Sequence, residues 1–78
     1  MMLRLVTYEE VNMRNIASER VRLGLTQEGL ADQLGVARQT VLRWENGKTT
    51  PPTSAVYMMA NIFGCSTDYL IGLTDERN

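Results

Sequence analysis

Seventy-eight residues, 44% hydrophobic and 22% charged, make one domain of ordinary globular composition, with too much apolar side chain for a disordered chain. The net charge of −1, from 8 Lys+Arg against 9 Asp+Glu, lacks the basic excess common in nucleic-acid binders, and no apolar run approaches the ~20 residues of a membrane span. With no histidine and Cys65 as the single cysteine, an internal disulfide, a zinc site and Ser-His or Cys-His nucleophile pairs are excluded, so neither a metal, a cofactor nor an enzymatic activity is expected.

Residues 1–12 admit three readings. Leu3 and Leu5 alternate with Arg4 as in a short strand. Thr7-Tyr8-Glu9-Glu10 has the form of a capping box that starts a helix. Alternatively translation starts at Met13, just ahead of the first strong helical pattern. The start is too short and too broken for a secretory signal.

From Arg14 to Leu23, Ile16, Ala17 and Val21 predict one apolar helical face, and Gly24 ends the helix. Thr26 is the expected N-cap of a second helix, with Leu30, Ala31 and Leu34 as its buried stripe. Gly35 ends that helix in a left-handed conformation. A third helix spans about 37–46 with Val41, Trp44 and Glu45 on its inner face, and Asn46-Gly47 stops it. Pro51-Pro52 opens a fourth, in which Val56, Met59, Ala60 and Phe63 recur at helical spacing before Gly64. Ser66 caps a short fifth helix, 67–71. The expected fold is all-α, a compact bundle of five short helices. The expected organisation is an N-terminal extension (1–12), the domain proper (13–73) and a C-terminal tail (74–78). Cys65 reads as a small buried hydrophobe in a reducing, cytoplasmic compartment.

The second and third helices are joined by a three-residue turn containing glycine. In a helix-turn-helix the second member of such a pair enters the DNA major groove. Ala31 is small where the two helices must approach, Gly35 permits the turn, and Val41 fills the angle between them. Singly, each residue reads as ordinary packing of a helical hairpin; together the spacing is specific. Leu25-Thr26-Gln27-Glu28, Leu30-Ala31-Asp32-Gln33-Leu34-Gly35-Val36 and Thr40-Val41-Leu42-Arg43-Trp44-Glu45-Asn46-Gly47-Lys48 carry the pattern. Pro51, Ala60, Gly64 and Ser66-Thr67-Asp68-Tyr69-Leu70-Ile71-Gly72 continue it in register. Residues 14–73 therefore resemble the Cro/repressor-type (XRE) helix-turn-helix family, which includes the lambdoid phage repressors. Gly29 departs from the family's usual helix former there, and Pro52 and Thr53 are unusual at the entry to the fourth helix.

On the third helix, Arg38, Gln39, Leu42, Arg43 and Asn46 share the face opposite Val41, Trp44 and Glu45. Arg38 and Arg43 suit the O6 and N7 acceptors of guanine, and Gln39 suits adenine. Leu42 reads either as a tolerated exposed leucine or as a contact to a thymine methyl. The alternative for the two arginines is a solvated helix face. Gln27 begins the second helix, where unpaired N–H groups favour an anion; the resemblance implies that its amide contacts a phosphate and braces the third helix. Asn46, Lys48 and Thr49 are expected on the phosphate at the other side, and Thr40 either contacts phosphate or caps locally. Glu45 repels phosphate if it faces DNA, but the resemblance implies a largely buried salt bridge with Arg20.

One such domain reads few base pairs, so a homodimer on an inverted repeat is expected, with half-sites ~34 Å apart. Met58, Ile62 and Leu73 fall off the inward stripe and form a possible dimer patch. The alternatives are scattered surface hydrophobes or pairing through residues 1–12. The resemblance implies double-stranded DNA as partner, no membrane, and a role as a prokaryotic or phage transcriptional regulator, a repressor. The rival reading is an antitoxin whose main partner is a protein toxin. A protein-interaction module without DNA binding is disfavoured by Arg38 and Arg43.

Overall fold

The computed structural model describes residues 14–77, so the readings of residues 1–12 and of Met13 as a start lie outside the described residues. Five helices follow in order: α1 (Arg14–Arg22), α2 (Gln27–Leu34), α3 (Arg38–Glu45), α4 (Thr53–Phe63) and α5 (Thr67–Leu70). Among the described residues there is no strand, and the all-helical expectation holds.

Local chemistry sets the boundaries. Thr26 precedes α2 in an extended conformation, and its Oγ1 accepts from the Gly29 N–H at 2.9 Å, which satisfies one of the helix's orphan donors. At the other end Gly35 takes φ 71°, a left-handed conformation that costs glycine nothing. That turn lets the Val36 N–H reach the Ala31 carbonyl at 3.0 Å. Only Gly35, Val36 and Ala37 separate α2 from α3. Pro52 stands extended at the start of α4. Ser66 Oγ accepts from the Tyr69 N–H at 3.1 Å and starts α5.

Ile16, Leu30, Val41, Met59, Phe63 and Leu70 are almost wholly buried and, with Trp44, bring all five helices into one core. Each such side chain stabilises the fold by about 1.5–3 kcal/mol relative to exposure. Ala31 is 1% exposed where α2 packs on α3. A larger side chain there would force the two helices apart, at a typical cost of about 1–3 kcal/mol.

Val21 is not on the buried face of α1: it is 64% exposed. Five residues advance a helix by about 500°, so Val21 sits roughly 140° away from Ile16. The inward positions beside Ile16 are instead Glu19 and Arg20, both charged. Glu19 is 3% exposed. Its carboxylate accepts from Arg22 Nε at 2.9 Å, from Arg77 Nε and Nη2 at 2.9 and 2.7 Å, and from the Tyr69 hydroxyl at 3.4 Å. Arg22 and Arg77 also donate to the Phe63 carbonyl at the end of α4. The Arg77 carbonyl in turn accepts from the Ser66 N–H at 2.6 Å. Arg77, in the segment expected as a tail, thus ties that segment to α1 and α4. The hydrogen bonds from Arg77, reinforced by Arg22, outweigh burial and hold the Glu19 carboxyl below its ordinary range. Cys65 is half-buried against the core, and burial, with the nearby Glu19 carboxylate, pushes its thiol up.

Candidate nucleic-acid interface

The site is built on α3. Val41 and Trp44 anchor its inner face, at 0% and 3% exposure. With those two positions fixed, the 3.6-residue repeat turns Arg38, Gln39, Arg43 and Asn46 outward. All four are exposed, while Leu42 and Thr40 are half-buried at the edges of that face. Ala37 stands at the N-cap of α3 and supplies no side-chain cap. The first N–H groups of the helix, at the positive end of its dipole, are therefore not capped by the preceding side chain.

The single acid of α3 is turned the other way. Arg20 donates from Nε to Glu45 Oε2 at 2.8 Å and from Nη2 to Oε1 at 3.2 Å. Its third group, Nη1, donates to the Leu25 carbonyl at 2.8 Å. The side chains are 15% and 6% exposed. The pairing implied by the resemblance is present and largely buried. Its effect is electrostatic: Arg38, Arg43 and Lys48 face solvent from the α3 region while the one carboxylate there is neutralised inside. The net charge of −1 therefore understates the positive potential of this surface.

Gln27 joins the same network. Its Nε2 donates to Glu45 Oε1 at 3.2 Å, so the first residue of α2 is linked to the last residue of α3. One amide hydrogen is used in that bond; the second and the carbonyl oxygen remain for other partners. Past α3, Gly47 has φ 73°, and the Lys48 N–H folds back to the Arg43 carbonyl at 2.9 Å. That closure places Lys48 and Thr49, both exposed, at the C-terminal end of α3. Arg38, Gln39, Leu42 and Arg43 thus share one helix face, with Gln27 braced to its inner side and Asn46, Lys48 and Thr49 at its end.

The residues read as a dimer patch separate. Met58 and Leu73 are each 45% exposed, but Ile62 is half-buried and packs against the core. Its sequence position gave little warning: it stands three residues after Met59, at the margin of the inward stripe. The Glu19 cluster and the exposed Tyr57 had no sequence signal of the kind used above. Among the described residues no helix is long and apolar enough to cross a membrane, and no group of His, Cys, Asp or Glu is placed to hold a metal ion.

Comparisons with known proteins agree with this fold. The profile of a family described as Helix-turn-helix matches residues 16–70. An uncharacterized HTH-type transcriptional regulator of Archaeoglobus fulgidus is 37% identical over 58 residues, covering 74% of this chain and 83% of the relative. The uncharacterized HTH-type transcriptional regulator YobD of Bacillus subtilis is 35% identical over 52 residues, 67% of this chain. The match spans only 46% of YobD's own length. Among solved structures, the P22 c2 repressor protein, crystallised with synthetic operator 9T, superposes with a TM-score of 0.70 at 28% identity. That match covers 74% of this chain and 88% of the repressor chain.

Proposed function

The chain belongs to the helix-turn-helix family, and from that premise we propose that it binds double-stranded DNA as a transcriptional regulator, a repressor, with α3 reading the major groove. One observation carries the proposal. The outer face of α3 presents Arg38, Gln39, Leu42 and Arg43, and its only acid, Glu45, is turned inward onto Arg20. The likeness to a repressor crystallised with its operator supports the same reading.

The roles divide by chemistry. Arg38 and Arg43 offer planar guanidinium forks to guanine O6 and N7, and Gln39 offers a donor and an acceptor to adenine. Leu42 supplies apolar contact to a thymine methyl. Gln27, Thr40, Asn46, Lys48 and Thr49 grip the phosphates and fix the register, which carries no sequence information by itself. Two copies on an inverted repeat supply the specificity that one copy lacks. The protein acts by occupying a site and performs no chemistry of its own.

Selection from random double-stranded DNA tests this. The expected result is an enriched inverted repeat with half-sites about 34 Å apart, one helical turn. Weak binding that depends on salt alone, with no enriched sequence, would overturn the reading and turn the search to a protein partner.

A further inference from the structure

Two arginines from distant parts of the chain serve the same two acceptors. Arg22, in the last turn of α1, donates from Nε to Glu19 Oε1 at 2.9 Å and from Nη2 to the Phe63 carbonyl at 2.7 Å. Arg77 donates from Nη2 to Glu19 Oε1 at 2.7 Å and to the Phe63 carbonyl at 3.0 Å, and from Nε to Glu19 Oε2 at 2.9 Å. Oε2 also accepts from the Tyr69 hydroxyl at 3.4 Å. The bond from the Leu73 N–H to the Asp68 carbonyl, at 2.8 Å, fixes the chain just past α5. Beyond it, among the described residues, Arg77 makes every hydrogen bond that joins residues 74–77 to the rest of the bundle. It does so through its guanidinium and through its carbonyl, which accepts from the Ser66 N–H at 2.6 Å.

We propose that residues 74–77 are a strap that opens and closes on a folded bundle, fastened by Arg77, with Arg22 as the standing partner of both acceptors. A buried carboxylate stripped of its partners is strongly unfavourable, and a buried carbonyl without a donor costs as much as a lost hydrogen bond. Neither arises when this strap lifts. Glu19 Oε1 and the Phe63 carbonyl keep Arg22, and Glu19 Oε2 keeps the Tyr69 hydroxyl. The Arg77 side chain, already 36% exposed, passes to water, and so does the Ser66 N–H. Opening therefore breaks the Ser66 bond and the Arg77 contacts and leaves the apolar core whole, so it is a local event far below global unfolding. The closed form is favoured because Arg77 supplies bonds that Arg22 alone does not. The Arg20–Glu45 pair shares no atom with this cluster, so α3 keeps its place in both forms. A molecule that holds the released segment shifts the strap by its preference for the open form, without moving α3.

Native-state amide hydrogen exchange of the full chain reads the opening directly. The Ser66 N–H is covered by the strap, whereas the Leu30 N–H, bonded to the Thr26 carbonyl at 3.0 Å in α2, reports on the bundle. In the wild type Ser66 is expected to be protected at least about 10-fold less than Leu30, at a level that low urea leaves unchanged, as local opening requires. Leu30 exchange is expected to accelerate with urea, as global unfolding requires. Arg77→Ala is expected to fold and to speed Ser66 exchange by at least about 3-fold more. In Arg22→Ala, lifting the strap leaves Glu19 without a cation, and Ser66 protection is expected to merge with that of Leu30. The double variant loses both cations at once. Its unfolding equilibrium constant is expected to rise at least about 10-fold beyond the product of the two single effects. Adding Glu19→Met to that background is expected to recover most of the loss, since the stranded carboxylate is its cause. Ser66 exchange that follows global unfolding in the wild type, an Arg77→Ala chain that does not fold, or single effects that multiply to the double would each overturn the proposal.

Discussion

Glu45 and Arg20 form a doubly hydrogen-bonded ion pair between α3 and α1, at 2.8 and 3.2 Å, with both side chains mostly buried. Such a pair stabilises little compared with a well-packed apolar pair, because both charges lose water on burial. Breaking it is different, since the remaining charge is stranded. Glu45→Ala is expected to cost about 3–5 kcal/mol in a chemical denaturation experiment. Replacing both partners at once, Arg20→Met with Glu45→Leu, is expected to recover most of that loss. A Glu45→Ala variant as stable as the parent would contradict the role assigned to the pair.

Gln27 and Lys48 are proposed to meet phosphate in chemically distinct ways, and salt dependence separates them. Lys48 is a cation that releases condensed counterions when it contacts DNA. Lys48→Ala is expected to weaken binding to all sequences alike and to lower the slope of log affinity against log salt by about 1. Gln27 is neutral, so Gln27→Ala is expected to weaken binding without changing the slope. Because Gln27 also donates to Glu45 at 3.2 Å, its loss is expected to lower stability as well, by about 0.5–1.5 kcal/mol. An unchanged Lys48→Ala slope would remove Lys48 from the contact set.

The buried Glu19 predicts an acid limit. Its folded pKa lies below the ordinary 4.5, chiefly because Arg77 and Arg22 donate to the carboxylate. A depressed carboxyl pKa contributes stability that is complete above the unfolded value and is lost as pH falls through the folded one. Melting temperature is therefore expected to hold steady down to about pH 5 and to drop below about pH 4.5, as protons bind the unfolded carboxylate first. Glu19→Gln is expected to flatten that acid limb while lowering stability at neutral pH. An acid limb as steep in Glu19→Gln as in the parent would assign the effect to other carboxyl groups.

Much of the fold was legible because its signals are local. The stripes of α2 and α4 follow from helical spacing alone, and Thr26, Gly35 and Ser66 mark ends through their own chemistry. The first helix departs from its expected face at Val21 because it has few apolar residues, and its inner face carries Glu19 and Arg20. Those charges are tolerable only because their partners arrive from Arg77, Tyr69 and Glu45, 58, 50 and 25 positions away, which no local pattern reveals. The outer face of α3 was legible because Val41 and Trp44 fix its rotation.

Gly29 is a position where the sequence falls short of the best helix. A Cβ there would meet Thr26 Oγ1 at 3.2 Å and Leu25 Cδ2 at 3.7 Å. The first contact is tight, and Thr26 Oγ1 must give by a few tenths of an ångström while it accepts from the Gly29 N–H. Against it stands a helix-propensity gain of about 1 kcal/mol for alanine over glycine. The gain is the larger effect, and Gly29→Ala is expected to stabilise the chain by about 0.5 kcal/mol. A variant less stable than the parent would mean that the Thr26 cap had been displaced.

The claim that α3 reads base sequence is tested most directly at Arg43, an exposed side chain whose loss leaves the core untouched. The affinities of wild type and Arg43→Ala are compared on the selected site and on a scrambled duplex, at two salt concentrations. Base reading by Arg43 predicts a loss of about 1–3 kcal/mol on the selected site, relaxed preference at one base pair, and little change on the scrambled duplex. Equal losses on both duplexes would contradict it and reduce Arg43 to a phosphate contact.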